Sequence, residues 1–376
     1  MKIGIISTVS GYSWAGSEEM WKLFALEALR AGHSVAVSAQ VPIAQSEELA
    51  EFKRLGGEVF PYQPLNWFMR RMASRGLYSR FGKMKHWKPD LLCVSAGGPA
   101  DFYWQHDLMA LLTENTSPQI YILQANAEGL IQGNNQRNAL RQFYLKASRI
   151  ICVSRANARL LERQLAAALP NTVILPNPIR ARLEKPLPWP NDASGSVRFA
   201  TVARYEVGCK CQDRTLEAFA TSEWKARNWH LSLFGSGPDE AHLHNLIRFY
   251  CLADRVTLQG YERDFKKIWA THHIHILNSR QEGLTLALIE SMFCGRPAVI
   301  TRAGGNHELL RDGIDGFVSP GLNPEIIQET LERAWTNRGK WQAMGDAAFC
   351  RVAERVPPDL GVRLLNEITE AGRCKS

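Results

Sequence analysis

The stretch SRQEGLTLALIESMFCGRPAVITRAGGNHELLRDGIDGFV, Ser279 to Val318, decides how the chain is read. Within it, GLTLALIESMFCG has the pattern of a helix and PAVIT that of a short, buried strand. Glu282 and Glu290 stand eight residues apart. In one helix that spacing is a rise of about 12 Å. Paired carboxylates that flank one glycosidic bond lie about 5 to 9.5 Å apart. The two glutamates therefore suit one elongated ligand gripped at both ends, a sugar at Glu282 and a ribose at Glu290. Gly283 permits close backbone approach, and the N–H groups of Leu284 and Thr285 would open the helix toward an anion. On spacing alone, two carboxylates on a helix surface fit as well.

Outward from this stretch, β-branched runs alternate with amphipathic ones. KIGIIS, SVAVSA, PDLLCVS, QIYILQ, RIICVS and TVILPN are strands of the first half, and VRFATVA, WHLSLFG, RVTLQG, IHILNS and PAVIT strands of the second. SEEMWKLFALEALRAG is a helix over Ser17 to Ala31, with Ser17 as its cap and Gly32 past its end. Strand–helix–strand repetition implies parallel sheets with right-handed crossovers. Five of the eighteen prolines fall between Pro176 and Pro190, followed by NDASGS, a plausible linker. The expectation is an α/β chain of two Rossmann-like, doubly wound domains facing across a cleft, over 1–176 and 177–358. A terminal helix in 359–376 would return to the first domain.

At 376 residues the chain is long for a single core. No apolar stretch reaches membrane-spanning length, and MKIGIISTVSGYSW reads as a first strand rather than a signal peptide. The eight cysteines are scattered, and only Cys209 and Cys211 are close, with no histidine near them in sequence. Free thiols and a cytoplasmic location are expected, with no metal. The net charge of +8 is concentrated: residues 59–89 hold Arg70, Arg71, Arg75, Arg80, Lys83, Lys85 and Lys88 and no acid. Trp67, Phe68, Met69, Met72, Tyr78, Phe81, Met84 and Trp87 are interleaved with them. That composition suits an anionic membrane surface or an anionic acceptor; a solvated basic face over a core is the simpler alternative. Confinement to one segment, without a nucleic-acid-binding motif, argues against nucleic acid.

GYSWAGSEE, residues 11 to 19, joins the first strand to the first helix, yet the helix opens with Glu18 and Glu19 where a phosphate would sit. Both fit as helix-dipole partners. G-x-G-x-x-G and the Walker pattern are absent.

EGLTLALIE resembles the E-x7-E signature of glycosyltransferase family 4, and SMFCGRPAVITRAGGNHELL its usual continuation. FATVARYEVGCKCQDRTLEAF resembles that family's Arg-plus-Lys phosphate segment, and FGSGPDEAHL, VTLQGYERD, RIICVSRANARLL and TVILPNPI fall in the expected order. The resemblance implies a GT-B fold and a retaining, metal-independent glycosyltransferase. It would need no cofactor beyond its donor substrate, a nucleoside-diphosphate sugar. The acceptor would be a glycan, a lipid-linked glycan or a small molecule. Carried over residue by residue, Glu282 holds donor-sugar hydroxyls and Glu290 the ribose, while Arg204 and Lys210 bind the diphosphate. The catalytic set is then Glu282, Arg204 and Lys210. Gly16 would offer a backbone N–H to the diphosphate, and Gly235, Gly283, Leu284 and Thr285 line the donor site. Departures from the family pattern are Cys211 for a usual Gly, Ala15 for the first of a Gly pair, and Gln124 for a sugar-contacting His, with Asn126 and Glu128 nearby. Glu128 could orient an acceptor hydroxyl. A nucleotide-sugar epimerase or hydrolase of the same fold is the nearest alternative, and a non-catalytic basic binding module the alternative from another class.

Overall fold

The computed structural model describes residues 1–11, 13–191 and 195–373; Tyr12 of the first loop, residues 192–194 of NDASGS and 374–376 lie outside them. The chain divides into two compact units, Met1–Pro178 with the chain from Pro358 onward, and Ile179–Pro357. The first holds β1 (Lys2–Ser7), β2 (Ser34–Gln40), β3 (Glu58–Tyr62), β4 (Leu91–Ala96), β5 (Gln119–Leu123), β6 (Arg149–Cys152) and β7 (Thr172–Ile174). They form one parallel sheet in the order β3-β2-β1-β4-β5-β6-β7. All of β4 is buried, as are Ile3, Ile5 and Ile6, which is what a sheet covered on both faces demands. The strand order reverses between β1 and β4, so the loops leaving these strands part and open a crevice at the sheet's carboxyl edge.

The second unit repeats the plan with β8 (Val197–Val202), β9 (Trp229–Phe234), β10 (Val256–Gly260), β11 (Ile274–Leu277), β12 (Ala298–Thr301) and β13 (Gly316–Ser319). Their order is β10-β9-β8-β11-β12-β13, all parallel, with the reversal between β8 and β11. Its core is aromatic. Phe199, Phe219, Trp224, Trp229 and Trp341 are buried. Phe219 lies 4.6 Å from Trp229 and 4.8 Å from Trp224, centroid to centroid. Arg227 closes this cluster, 4.6 Å above Trp224 and bidentate to Glu332 at 2.7 and 2.8 Å.

Two strands escape the sequence pattern. β3 carries Pro61 and buries only Tyr62, and β13 is four residues long; both are sheet edges, where alternation is weakest. The proline-rich stretch is not a loose tether. Leu183 and Leu187 pack against a cluster that includes Trp269. The buried Arg296 guanidinium donates to the carbonyls of Leu187 and Pro188, and also to those of Trp269 and His272. Burial pulls its pKa down to about 10, against the smaller opposing pull of Cys294 and Asp346. The helix Leu360–Arg373 belongs to the first unit. It packs on the helix Glu18–Arg30, and Glu367 pairs with Arg149 at 3.2 Å.

Candidate functional site

The parting of β8 and β11 places two loops side by side in the second unit. One carries Arg204 and Lys210, the other Glu282. Lys210 Nζ donates to Glu282 Oε1 at 2.7 Å, with both side chains largely buried. Backbone contacts tie the loops together: Arg280 N donates to Cys209 O at 2.8 Å, and its guanidinium to Gly208 O at 3.1 Å. Arg204 turns to Glu206, at 3.0 Å. The structure thus brings Lys210 to Glu282 and gives Arg204 an acidic neighbour that sequence reasoning missed.

Cys211, where the resembled family has glycine, adopts φ +50° and ψ +39°, the left-handed conformation that glycine adopts readily. The turn survives the substitution at a backbone strain of about 1–2 kcal/mol. Gly235, by contrast, is obligatory. At φ +148° a Cβ there would lie 2.0 Å from Ala203 O, so only glycine lets the end of β9 approach this loop.

Glu282 and Glu290 do not share a helix, which corrects the 12 Å rise. Glu282 and Gly283 are extended, Thr285 is the N-cap at ψ +127°, and the helix is Leu286–Phe293. The Thr285 N–H, expected to point to an anion, donates instead to Asn306 Oδ1 at 3.0 Å, as does its hydroxyl. Leu284 is buried beside it. Gly304, at φ +52°, lies against this turn: a Cβ there would sit 2.3 Å from Glu282 O. The AGGN segment after β12 thus fixes the backbone of Glu282, a role that the quoted glycine pair could have signalled.

Glu290, 1% exposed, accepts a bidentate pair from Arg180: Nη2 to Oε2 at 2.9 Å, and Nε to Oε1. Nothing in the spacing of the stretch pointed to Arg180, which lies 110 residues away. Among the described residues no group of three or more His, Cys, Asp or Glu is placed to hold a metal ion.

In the first unit, Gly16 lies in the turn before the helix Glu18–Arg30, its carbonyl accepting from Glu19 N at 3.3 Å. The helix is one residue shorter at each end than expected, and Ser17 makes no side-chain cap. Glu18 is not a surface dipole partner. It is fully buried, with Trp21 Nε1 donating at 2.8 Å and Ser7 Oγ at 3.1 Å. Burial outweighs these bonds and pushes its pKa up to about 7. A carboxyl raised on folding contributes stability that is full below its unfolded value and falls as pH climbs to the folded one. Glu18→Gln removes that loss. Its melting temperature should exceed the wild type's by a few degrees at pH 8 and by less at pH 5; an equal gain at both would refute this.

Asn126 is buried, its amide donating to Gln164 Oε1 at 2.9 Å. Gln124 is buried beside the helix Glu18–Arg30, its Nε2 3.5 Å from Met20 Sδ. Glu128 pairs with Arg163 on the surface. Arg80 leaves the basic segment altogether: it is bidentate to the buried Asp107, at 2.7 and 2.8 Å, while Phe81 and Met84 join the core. Sequence reading missed Asp107 because it lies outside the acid-free window.

A protein-family model described as Glycosyl transferases group 1 matches residues 196–337, most of the second unit. An exopolysaccharide phosphotransferase of Streptomyces coelicolor is 28% identical over 201 residues, which is 53% of this chain and 21% of that protein. The chain spans about a fifth to a third of the length of the curated relatives it matches first. Among solved structures, sucrose-phosphate synthase from Thermosynechococcus elongatus aligns over 100% of both chains, with TM-score 0.78 and 15% identity. Anabaena HepE in complex with UDP-glucose aligns over 98% of each, with TM-score 0.73 and 17% identity. At these identities the likeness shows the fold: two Rossmann-like, all-parallel units of the GT-B class.

Proposed function

We propose that the protein is a glycosyltransferase that moves a sugar from a nucleoside-diphosphate sugar to a glycan, lipid-linked or small-molecule acceptor. The observation that carries this reading is the pairing of loops at the β8/β11 reversal, where Lys210 bonds to Glu282 and Arg204 lies on the same loop as Lys210. Departure of a nucleoside diphosphate builds negative charge, and fixed cations stabilise it without reorganisation. The two cations serve in place of a metal. Glu282 reads donor-sugar hydroxyls and the buried Glu290 the ribose. The match of residues 196–337 to the group 1 model and the UDP-sugar held by a protein of the same fold support the assignment.

Reaction proceeds on the front face. The bond from the anomeric carbon to the phosphate oxygen breaks, the acceptor oxygen bonds to that carbon on the same side, and its proton passes to the leaving phosphate. Configuration is retained. Calorimetry with UDP and GDP tests the site, since a basic binding module would bind neither. Product analysis with a donor panel then separates transfer from epimerisation or hydrolysis. Transfer should survive a chelator, and an inverted anomeric centre or a strict need for Mn²⁺ or Mg²⁺ would overturn the mechanism.

A specific surface favours a lipid-linked acceptor at an anionic membrane. In residues 66–78, Trp67 and Phe68 are 74% and 62% exposed, Leu77 and Tyr78 are exposed as well, and Arg70, Arg71 and Arg75 share the segment. Exposed aromatics beside cations suit a lipid interface, each cation contributing about 1 kcal/mol near anionic lipid. Among the described residues no helix is long and apolar enough to cross a membrane. Flotation with phosphatidylglycerol-containing vesicles should fall about tenfold or more on replacing the three arginines by alanine. Equal binding to neutral vesicles, or none to either kind, would refute the surface.

A further inference from the structure

Arg204 and Lys210 stand toward opposite ends of the loop that leaves β8, and one buried side chain joins those ends. The turn Val207–Lys210 is closed by its own backbone: Lys210 N donates to Glu206 O at 2.8 Å and Cys211 N to Val207 O at 3.0 Å. Arg204 lies outside that turn. Its neighbours Ala203 and Tyr205 donate instead to Phe234 O, at the end of β9, and to Ser236 O just beyond it, both at 3.0 Å. Gln212, the first residue of the helix Gln212–Phe219, reaches back eight residues, and its Nε2 donates to Arg204 O at 2.6 Å. Three residues on, and so on the same face of that helix, Thr215 Oγ1 donates to Cys211 O at 3.3 Å and accepts from Asn278 Nδ2 at 3.1 Å. Asn278 directly follows β11, on the chain that leads to Glu282. Stability does not account for Gln212. It is 1% exposed, and among the described residues its Oε1 has no hydrogen-bond partner. A buried amide with an unmet oxygen costs free energy. Nor does Arg204 O require it, since Glu206 N already donates there at 2.9 Å. An unbranched apolar side chain would fill the space at less cost. What the amide adds is a fixed direction for the Arg204 carbonyl, and with it for the backbone that carries the guanidinium.

We propose that Gln212 is a positioning residue for the leaving diphosphate: it clasps the loop so that Arg204 and Lys210 meet the terminal phosphate together. The inference rests on the reading of the chain as a glycosyltransferase and adds a residue that acts through Arg204 rather than on the substrate. Cations fixed in advance stabilise growing charge without reorganisation. Without the clasp, the start of the loop would have to be ordered by the ligand, and affinity falls by the cost of that ordering. The effect belongs to the phosphate contact. It should spare the base and the ribose, which Arg204 does not hold.

Calorimetry of the full chain with UDP, GDP and the matching monophosphates tests this, alongside melting temperatures without ligand. The free diphosphate is the informative probe because it carries the charge that departure builds. Gln212→Met should bind the preferred diphosphate about tenfold more weakly, the size of one lost hydrogen bond, and its monophosphate within about twofold of the wild type. Its ligand-free melting temperature should not fall. In an Arg204→Ala background the same substitution should cost no further affinity, because the clasp acts through Arg204. Gln212→Asn, whose amide is one methylene too short to reach the carbonyl, should behave as Gln212→Met does and supplies the test where that variant misfolds. Unchanged diphosphate affinity, an equal loss for monophosphate and diphosphate, or an equal loss with and without Arg204 would make Gln212 a residue of the fold alone and overturn the proposal. A wild-type chain that binds neither UDP nor GDP would overturn the glycosyltransferase reading instead.

Discussion

Lys210→Ala is expected to lower kcat about 10²- to 10³-fold, with a smaller change in donor KM. The phosphate charge grows as the glycosidic bond breaks, so a cation fixed on the diphosphate binds the transition state more tightly than the ground state. Lys210 is fixed: a short helical turn, Val207–Lys210, carries it, and the left-handed Cys211 ends that turn. Its bond to Glu282 holds the ammonium in place before donor arrives. Removing the lysine also strips a largely buried carboxylate of that bond, so part of the loss reflects a displaced Glu282. The double variant Lys210→Ala/Glu282→Gln separates the two. If Glu282 displacement contributes, the double variant loses less than the product of the single losses. Arg204→Ala should act in the same direction and magnitude, since its partner Glu206 lies on the same loop. Steady-state kinetics at saturating acceptor decide. A change confined to KM would mean that the cations serve ground-state binding only.

Both parallel sheets were legible because buried parallel strands are nearly continuous apolar runs bounded by turns; the order of their strands was not. β4 and β12 are buried at every position and could hardly be read otherwise. β3 was not legible because it carries Pro61 and buries only Tyr62, and β13 because it is only four residues long and opens on Gly316. Residue types at the candidate donor site were legible in order, but their partners were not. Arg180 reaches Glu290 across 110 residues, and Asn306 takes the Thr285 N–H across 21. Such pairings depend on which loops the strand order brings together, which local periodicity does not encode. Burial of charge was equally hidden. Glu18 opens a helix and Arg80 sits in a basic run, positions that favour solvent, yet Trp21 and Ser7 enclose the first and Asp107 the second.

Arg180→Ala should destabilise the second unit by about 2–3 kcal/mol, and nucleotide should restore more stability to this variant than to the wild type. Glu290 is 1% exposed, and Arg180 is its bidentate partner with a side chain 28% exposed. Removing one member of a buried pair costs about 3–5 kcal/mol; the partial exposure of Arg180 reduces that figure. For a unit of this size the melting temperature should fall by about 5–10 °C. The reverse truncation is milder. Glu290→Ala leaves behind a guanidinium that already reaches solvent, so its main effect should be a raised donor KM, as expected for a ribose contact made equally in ground and transition states. The two substitutions therefore differ in kind although they break the same bond. In Arg180→Ala the ribose hydroxyls of UDP can donate to the carboxylate that lost the arginine. Saturating UDP should then raise the melting temperature of this variant by more than it raises that of the wild type. In Glu290→Ala the UDP-induced rise should shrink. Equal UDP shifts in wild type and both variants would show that Glu290 holds no part of the nucleotide, and would confine the Arg180–Glu290 pair to stability alone.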